Sequence, residues 1–199
     1  MQTEKQQRGR PREFDEQEVM LAAMNYFWEH GYDNTSLDDL LRVMNIKKSS
    51  FYAAFKSKKE LFKKVLLFYK EYQISFLQSI KEQEGPKKAM LILLEKRIEE
   101  FQKTGNNRGC LLMNSGRECY GRYDDIAHQV HIEFNYFLGL FKQFIQEAKE
   151  NKEIQNKQNA QYIAGRYINT LNGLMITMRA GASQNIIDDI IQSAKELLE

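Results

Sequence analysis

The sequence predicts an all-α protein, on three observations. The only prolines among the 199 residues are Pro11 and Pro86, so almost nothing forbids helix along the chain. No run of alternating β-branched residues marks a strand. Apolar residues instead recur at three- and four-residue spacing from Val19 onward, the period of a helix with one buried face.

Each element follows from its punctuation. A first helix begins at Asp15, which with Glu18 three residues on makes a capping box, and Gly31 stops it; its stripe is Val19, Ala22, Ala23, Tyr26 and Phe27. The second starts at Thr35 or Ser36, places Leu37, Leu40, Leu41 and Met44 at helical spacing, and ends on Asn45, a residue that tolerates a left-handed turn. A third, from Lys48 to Phe55, turns Phe51 and Phe55 inward and leaves Ser49, Ser50, Tyr52 and Ala53 on the outward arc. Two short helices joined by so brief a turn form a helix-turn-helix, with a second helix sized for the major groove.

A long fourth helix from Ser57 or Lys58 stripes Leu61, Phe62, Val65, Phe68, Tyr69, Tyr72, Phe76 and Ile80, and stops before Gly85-Pro86. Pro86 to Lys103 is a further amphipathic helix closed by Thr104-Gly105-Asn106-Asn107. Helices are then expected from near Cys110 to Gly121, from Asp124 to Asn151, over 158–180 and over 185–198. This divides the chain into a basic arm with a helix-turn-helix domain, 1–57, and a helical body, 58–199.

Composition narrows the function. Hydrophobic residues make up 42% and charged residues 28%, the balance of a globular domain rather than a disordered tail. The longest uncharged, largely apolar stretch, Tyr167 to Met178, has twelve residues, short of the ~18–20 that a bilayer demands. With no apolar leader at the N-terminus either, a cytoplasmic protein without membrane attachment is expected. Cys110 and Cys119 are the only cysteines. On one helix they stand ~13 Å apart, beyond disulfide reach, so both are expected as thiols. There is no metal-ligand spacing, glycine-rich phosphate loop or nucleophile elbow. Composition therefore gives no enzyme and no cofactor. His128 and His131 share a helix face but lack a third ligand, so no metal is assigned.

The net charge of +2 conceals a segregation. Residues 1–12 carry Lys5, Arg8, Arg10 and Arg12 against Glu4 alone; residues 13–39 carry eight acids and no base; Arg42 to Lys59 carry six bases and no acid. Such an order lets one face approach a polyanion while its surroundings are repelled.

The segments Gly31-Tyr32-Asp33-Asn34-Thr35-Ser36-Leu37-Asp38-Asp39-Leu40 and Asn45-Ile46-Lys47-Lys48-Ser49-Ser50-Phe51-Tyr52-Ala53-Ala54-Phe55-Lys56-Ser57-Lys58-Lys59-Glu60-Leu61 resemble the DNA-binding domain of TetR/AcrR-family regulators. The match departs from the common pattern at Asn45, where glycine is frequent, and at Lys47, where a Ser or Thr cap is frequent. The resemblance implies a nine- or ten-helix homodimer. Its N-terminal helices would read an operator, and its C-terminal domain would bind a small inducer and dimerise through the last two helices. Arg108-Gly109-Cys110-Leu111-Leu112-Met113-Asn114, with Glu118-Cys119 beyond, is similar to a subgroup of that family that includes the N-ethylmaleimide-reductase regulator. That similarity implies sensing of electrophiles or oxidants.

The candidate site residues follow. Lys47, Lys48 and Lys58 stand at ends of short helices, where ammonium groups reach phosphates. Tyr52 offers a hydroxyl to the DNA backbone, Ser49, Ser50 and Ala53 let the third helix sink into the groove, and Thr35 is expected to cap the second helix and to touch the DNA backbone through its hydroxyl or amide. Arg8-Gly9-Arg10-Pro11-Arg12 resembles an AT-hook core laying Arg10 and Arg12 into a minor groove. Cys110, with Arg108 and a helix N-terminus to lower its pKa, and more weakly Cys119, are sensor candidates. Phe137 and Tyr167 are pocket candidates, and Arg179 would lie near the thiol or a ligand anion. The expected partners are a palindromic double-stranded operator, a small-molecule inducer and a second copy of the chain. A helical small-molecule carrier, or a thiol enzyme pairing Cys110 with His128 or His131, is the competing reading.

Overall fold

The computed structural model describes residues 15–104 and 108–199. Its order is α1 Glu16–His30, α2 Leu37–Met44, α3 Lys48–Phe55, α4 Lys58–Glu84, α5 Pro86–Thr104, α6 Leu111–Cys119, α7 Asp124–Glu150, α8 Ala160–Arg179 and α9 Gln184–Glu196, with no strand among the described residues. The all-α expectation therefore holds, and every expected helix forms within a few residues of its expected ends. The basic arm with Arg10 and Arg12 lies outside the described residues.

The caps explain the ends. Asp15 accepts from the amides of Gln17 and Glu18 at the start of α1. Ser36, not Thr35, caps α2, in a reciprocal box with Asp39. Thr35 is buried and its hydroxyl donates to the Gly31 carbonyl at 2.6 Å. The expected cap by Thr35 is therefore corrected: its hydroxyl braces the turn before α2. Asn45 adopts the left-handed conformation (φ 50°, ψ 44°), the geometry that glycine usually supplies. Pro86 opens α5 directly after Gly85 (φ 87°), where a missing N–H costs nothing.

The buried faces differ from the simple stripes. On α1, Met20, Met24 and Trp28 are buried beside Val19, Ala23 and Phe27, because the helix is enclosed by α4 and by the chain entering α6 as well as by α2. On α4, Gln73 and Leu77 turn inward while Tyr72 is 55% exposed. Two apolar cores result. One gathers α1–α3, the first three turns of α4, α6 and the start of α7; the other gathers the rest of α4 with α5, α7, α8 and α9. The N-terminal core thus runs past residue 57 as far as Tyr69 on α4, and recruits Leu111, Leu112 and Cys119 from α6. Cys110 and Phe137 pack against both cores and sit at the seam.

Candidate nucleic-acid interface and ligand cavity

Phe51 and Phe55 anchor α3 in the core, fully buried, which fixes the opposite face outward. There Lys47, Lys48, Ser49, Tyr52 and Ala53 are exposed, and Ser50 is half-buried. The Tyr52 ring stands edge-on to Phe51, centroids 5.6 Å apart, so its hydroxyl is held away from the core. Lys47 precedes α3 without a side-chain cap. Lys56 ends the helix with φ 64°, a conformation that costs a non-glycine residue energy; its side chain is exposed.

The basic block divides by function. Arg42 pairs with Asp39 at 3.1 Å and Lys59 with Asp125 at 2.9 Å. Lys58 turns inward: its ammonium donates to the carbonyls of Tyr32 and Thr35, both at 2.9 Å, and lies 4.3 Å from the Tyr32 ring centroid. It ties α4 to the α1–α2 turn, which commits two of the three protons that sequence reasoning had available for phosphate. Lys47, Lys48 and Lys56 form no ion pair among the described residues, and these three give the α3 face its charge.

Two clamps, neither legible in the sequence, hold this head to the body. At one end of α6, the Trp28 indole donates to the Gly109 carbonyl at 3.1 Å, while the Arg108 guanidinium lies 4.4 Å from the Trp28 ring and donates to Asn25 Oδ1 at 3.0 Å. At the other end, the Glu118 carboxylate accepts from the amides of Tyr32 (3.0 Å) and Asp33 (2.7 Å). Asp33 in turn accepts from the Tyr123 hydroxyl at 2.7 Å and pairs with Arg122. The Tyr123 hydrogen bond, then Arg122, hold the Asp33 carboxyl below its usual range. Gly31 (φ 80°) lets Glu118 in: a Cβ there would stand 2.9 Å from Glu118 Oε2.

Inside the body, α4–α8 enclose an apolar cleft of about 570 Å³, its open mouth included. Leu77, Leu93, Leu112, Met113, Phe134, Phe137, Phe141, Ile168, Leu171 and Met175 form its walls; Tyr69, Gln73, Arg97, Cys110 and Asn172 bring polar atoms to it. Cys110 and Phe137 are where the pocket expectation puts them. Tyr167 is not: it is fully buried behind Phe141 and its hydroxyl donates to the Met90 carbonyl at 2.6 Å, a core role. Nor is Arg179, which is exposed at the end of α8, one turn beyond the last cavity residue of that helix. The cleft's polar wall, Gln73 and Arg97, is absent from the sequence reading because periodicity marks only apolar inward positions.

The two thiols sit at opposite ends of α6. Cys110 is half-buried and accepts a hydrogen bond from the Tyr69 hydroxyl, 3.7 Å from its sulfur. Arg108 is engaged with Asn25 and Trp28, so the expected cation beside this thiol is turned away. Burial, reinforced by Glu118, pushes the Cys119 thiol up to about 12, which removes its thiolate at neutral pH. His128 and His131 are exposed, and no cluster able to hold a metal ion occurs among the described residues. No helix among them is long and apolar enough to cross a membrane.

A helix-turn-helix head carrying an exposed short helix, fixed to a helical body with its own apolar cavity, defines a helix-turn-helix regulatory protein. Residues 19–65 match the family model described as bacterial regulatory proteins, tetR family, and residues 88–194, over half of the chain, match the tetracyclin repressor-like C-terminal domain. The HTH-type transcriptional repressor ComR of Escherichia coli K12 is 28% identical over 191 residues, covering 90% of this chain and 86% of its own. A cysteine mutant of the TetR family transcriptional regulator CifR, complexed with 26bp double-strand operator DNA, superposes with a TM-score of 0.75 over 95% of this chain and 98% of its own at 23% identity. The reduced form of E. coli NemR superposes with a TM-score of 0.77 over 92% and 95% at 17% identity; likenesses this distant show the fold. The chain belongs to the TetR family of bacterial regulatory proteins.

Proposed function

We propose that two copies of the chain form a cytoplasmic repressor that straddles a palindromic operator and leaves it when a small molecule or an electrophile occupies the body. It acts by binding rather than turnover. Residues 1–57 would be the reading head and 58–199 the effector and dimerisation part, with α8 and α9 as the paired face, where Ile176 is 70% and Ile186 46% exposed. One observation carries the reading. The outward face of α3 combines small residues, an exposed tyrosine and the cations Lys47, Lys48 and Lys56, which form no ion pair among the described residues, while Asp39, Asp33 and Asp125 are engaged by Arg42, Arg122 and Lys59.

In this reading Ser49, Ser50 and Ala53 face base edges, Tyr52 and the lysines meet phosphates, and the Arg10–Arg12 arm follows the adjacent minor groove. The ComR name and the CifR operator complex, both of relatives, support it. Cys110, at the seam of the two cores and inside the cavity, favours a thiol-modifying inducer as one form of release. Sequencing the DNA retained by the purified protein, with and without diamide or a quinone, tests both parts. A palindrome near the chain's own gene, lost on treatment, is expected. Retention of no defined sequence overturns the operator, and undiminished release by Cys110→Ser removes the thiol from the mechanism.

A further inference from the structure

The cavity has a second, outer neighbour. A cleft between α4 and α5 opens to solvent and shares Gln73, Leu93 and Arg97 with the inner cavity. Arg97 therefore stands in the wall between the two, its side chain only 16% exposed. Nη2 donates inward to Oε1 of the buried Gln73 at 2.8 Å, and Nη1 donates outward to Glu100 Oε2 at 3.3 Å. A guanidinium set in an apolar wall needs an anion at close range. Glu100 serves at the long end of hydrogen-bond distance, is 39% exposed, and is shared with Arg108 at 3.7 Å. The outer cleft adds Lys96 and Lys103 against Glu99 and Glu100, so with Arg97 its balance is positive.

We propose that the cavity takes an amphipathic monocarboxylate. It passes through the α4–α5 cleft, lays its hydrocarbon or aromatic body against Phe137, Phe141 and Leu171, and docks its carboxylate on Arg97 in place of Glu100. The proposal rests on the cavity being the effector site. A ligand carboxylate can meet the guanidinium fork with both oxygens, whereas Glu100 meets it with one, at 3.3 Å. The exchange has an outlet: Glu100 also holds Arg108, and Arg108 lies on Trp28 and bonds Asn25, both on α1. Occupation of Arg97 rearranges the cation that braces the head.

The test uses the full chain with benzoate and hexanoate as probes against benzamide and hexanamide, which match them in body but carry no charge. Calorimetry reads binding, and emission of Trp28, the sole tryptophan, reads the outlet. The acids should bind about tenfold more tightly than their amides, and should shift Trp28 emission saturably. Glu100→Gln should tighten the acids and leave the amides unchanged, and Arg97→Gln should erase the preference. Equal binding of acid and amide to the wild-type chain, or a preference surviving in Arg97→Gln, overturns the proposal while the cavity reading stands. Binding of none of the four overturns the cavity reading with it. The wild-type comparison decides even where a variant fails to fold.

Discussion

At the scale of single residues, burial separates groups that look alike in sequence. Cys110 and Cys119 stand at the two ends of α6, yet only Cys110 is within reach of solvent while the other thiol is raised to about 12 by its burial. N-ethylmaleimide at pH 7.5 should add one adduct per native chain, on Cys110, and a second only after unfolding, as intact mass will show. The lysines divide in the same way. Lys48→Ala should weaken operator binding on all sequences alike, and should lower the salt slope by about 2 for a dimer that loses one phosphate contact per copy, at about 0.9 per contact. Lys58→Ala should instead lower thermal stability, since its ammonium serves the Tyr32 and Thr35 carbonyls. Sequence could place both lysines at helix ends but could not tell them apart, because the direction of a long side chain depends on carbonyls brought near by the fold.

At the scale of elements, local chemistry was the most legible layer. The stops at Gly31 and Gly85-Pro86, the left-handed Asn45 and the inward Phe51 and Phe55 all follow from residue type and period, and all are present. What was not legible came from one element pressing on another: Trp28 buried under Arg108, Gln73 turned into the body, Glu118 reaching back to the α1–α2 turn. Replacing Gly31 by alanine should therefore cost about 1–3 kcal/mol, from the strained φ and from pushing Glu118 aside; chemical denaturation will measure it. At the start of α2 the Ser36 hydroxyl, then Arg42, lower the Asp39 carboxyl to about 2. A depressed carboxylate stabilises the fold above its unfolded value of about 3.9, and that contribution fades as pH falls from there through about 2. Ser36→Ala should move the Asp39 titration, followed by NMR, upward toward the ordinary range.

At the scale of the whole molecule, the two-part plan could be read from the charge flip and from the fourth helix, but the position of the seam could not. Apolar periodicity runs unbroken through α4, and only the packing of α1, α3 and α6 against its first three turns assigns them to the N-terminal core. The cavity lies against that seam: its lining residues all fall beyond residue 57, yet Tyr69 and Leu112 among them belong to the N-terminal core and Leu93, Phe141 and Met175 to the other. If two copies bind the operator as proposed, the three lysines of each that form no ion pair among the described residues should give a salt slope of about −5, at about −0.9 per phosphate met. A slope near zero would mean that the α3 face is not the one meeting the duplex.

The double grip of α6 on the head also sets how little movement is needed to undo reading. With Gly109 fastened to Trp28 and Glu118 fastened to Tyr32 and Asp33, the 15-residue α1 cannot pivot without its underlying strut, and behaves as an arm of about 22 Å. A tilt of about 10° carries the tip of such an arm nearly 4 Å, roughly the 3.4 Å step between stacked bases. Two such tilts related by a two-fold axis would put the reading helices out of phase with their half-sites by more than a base step, without either head unfolding.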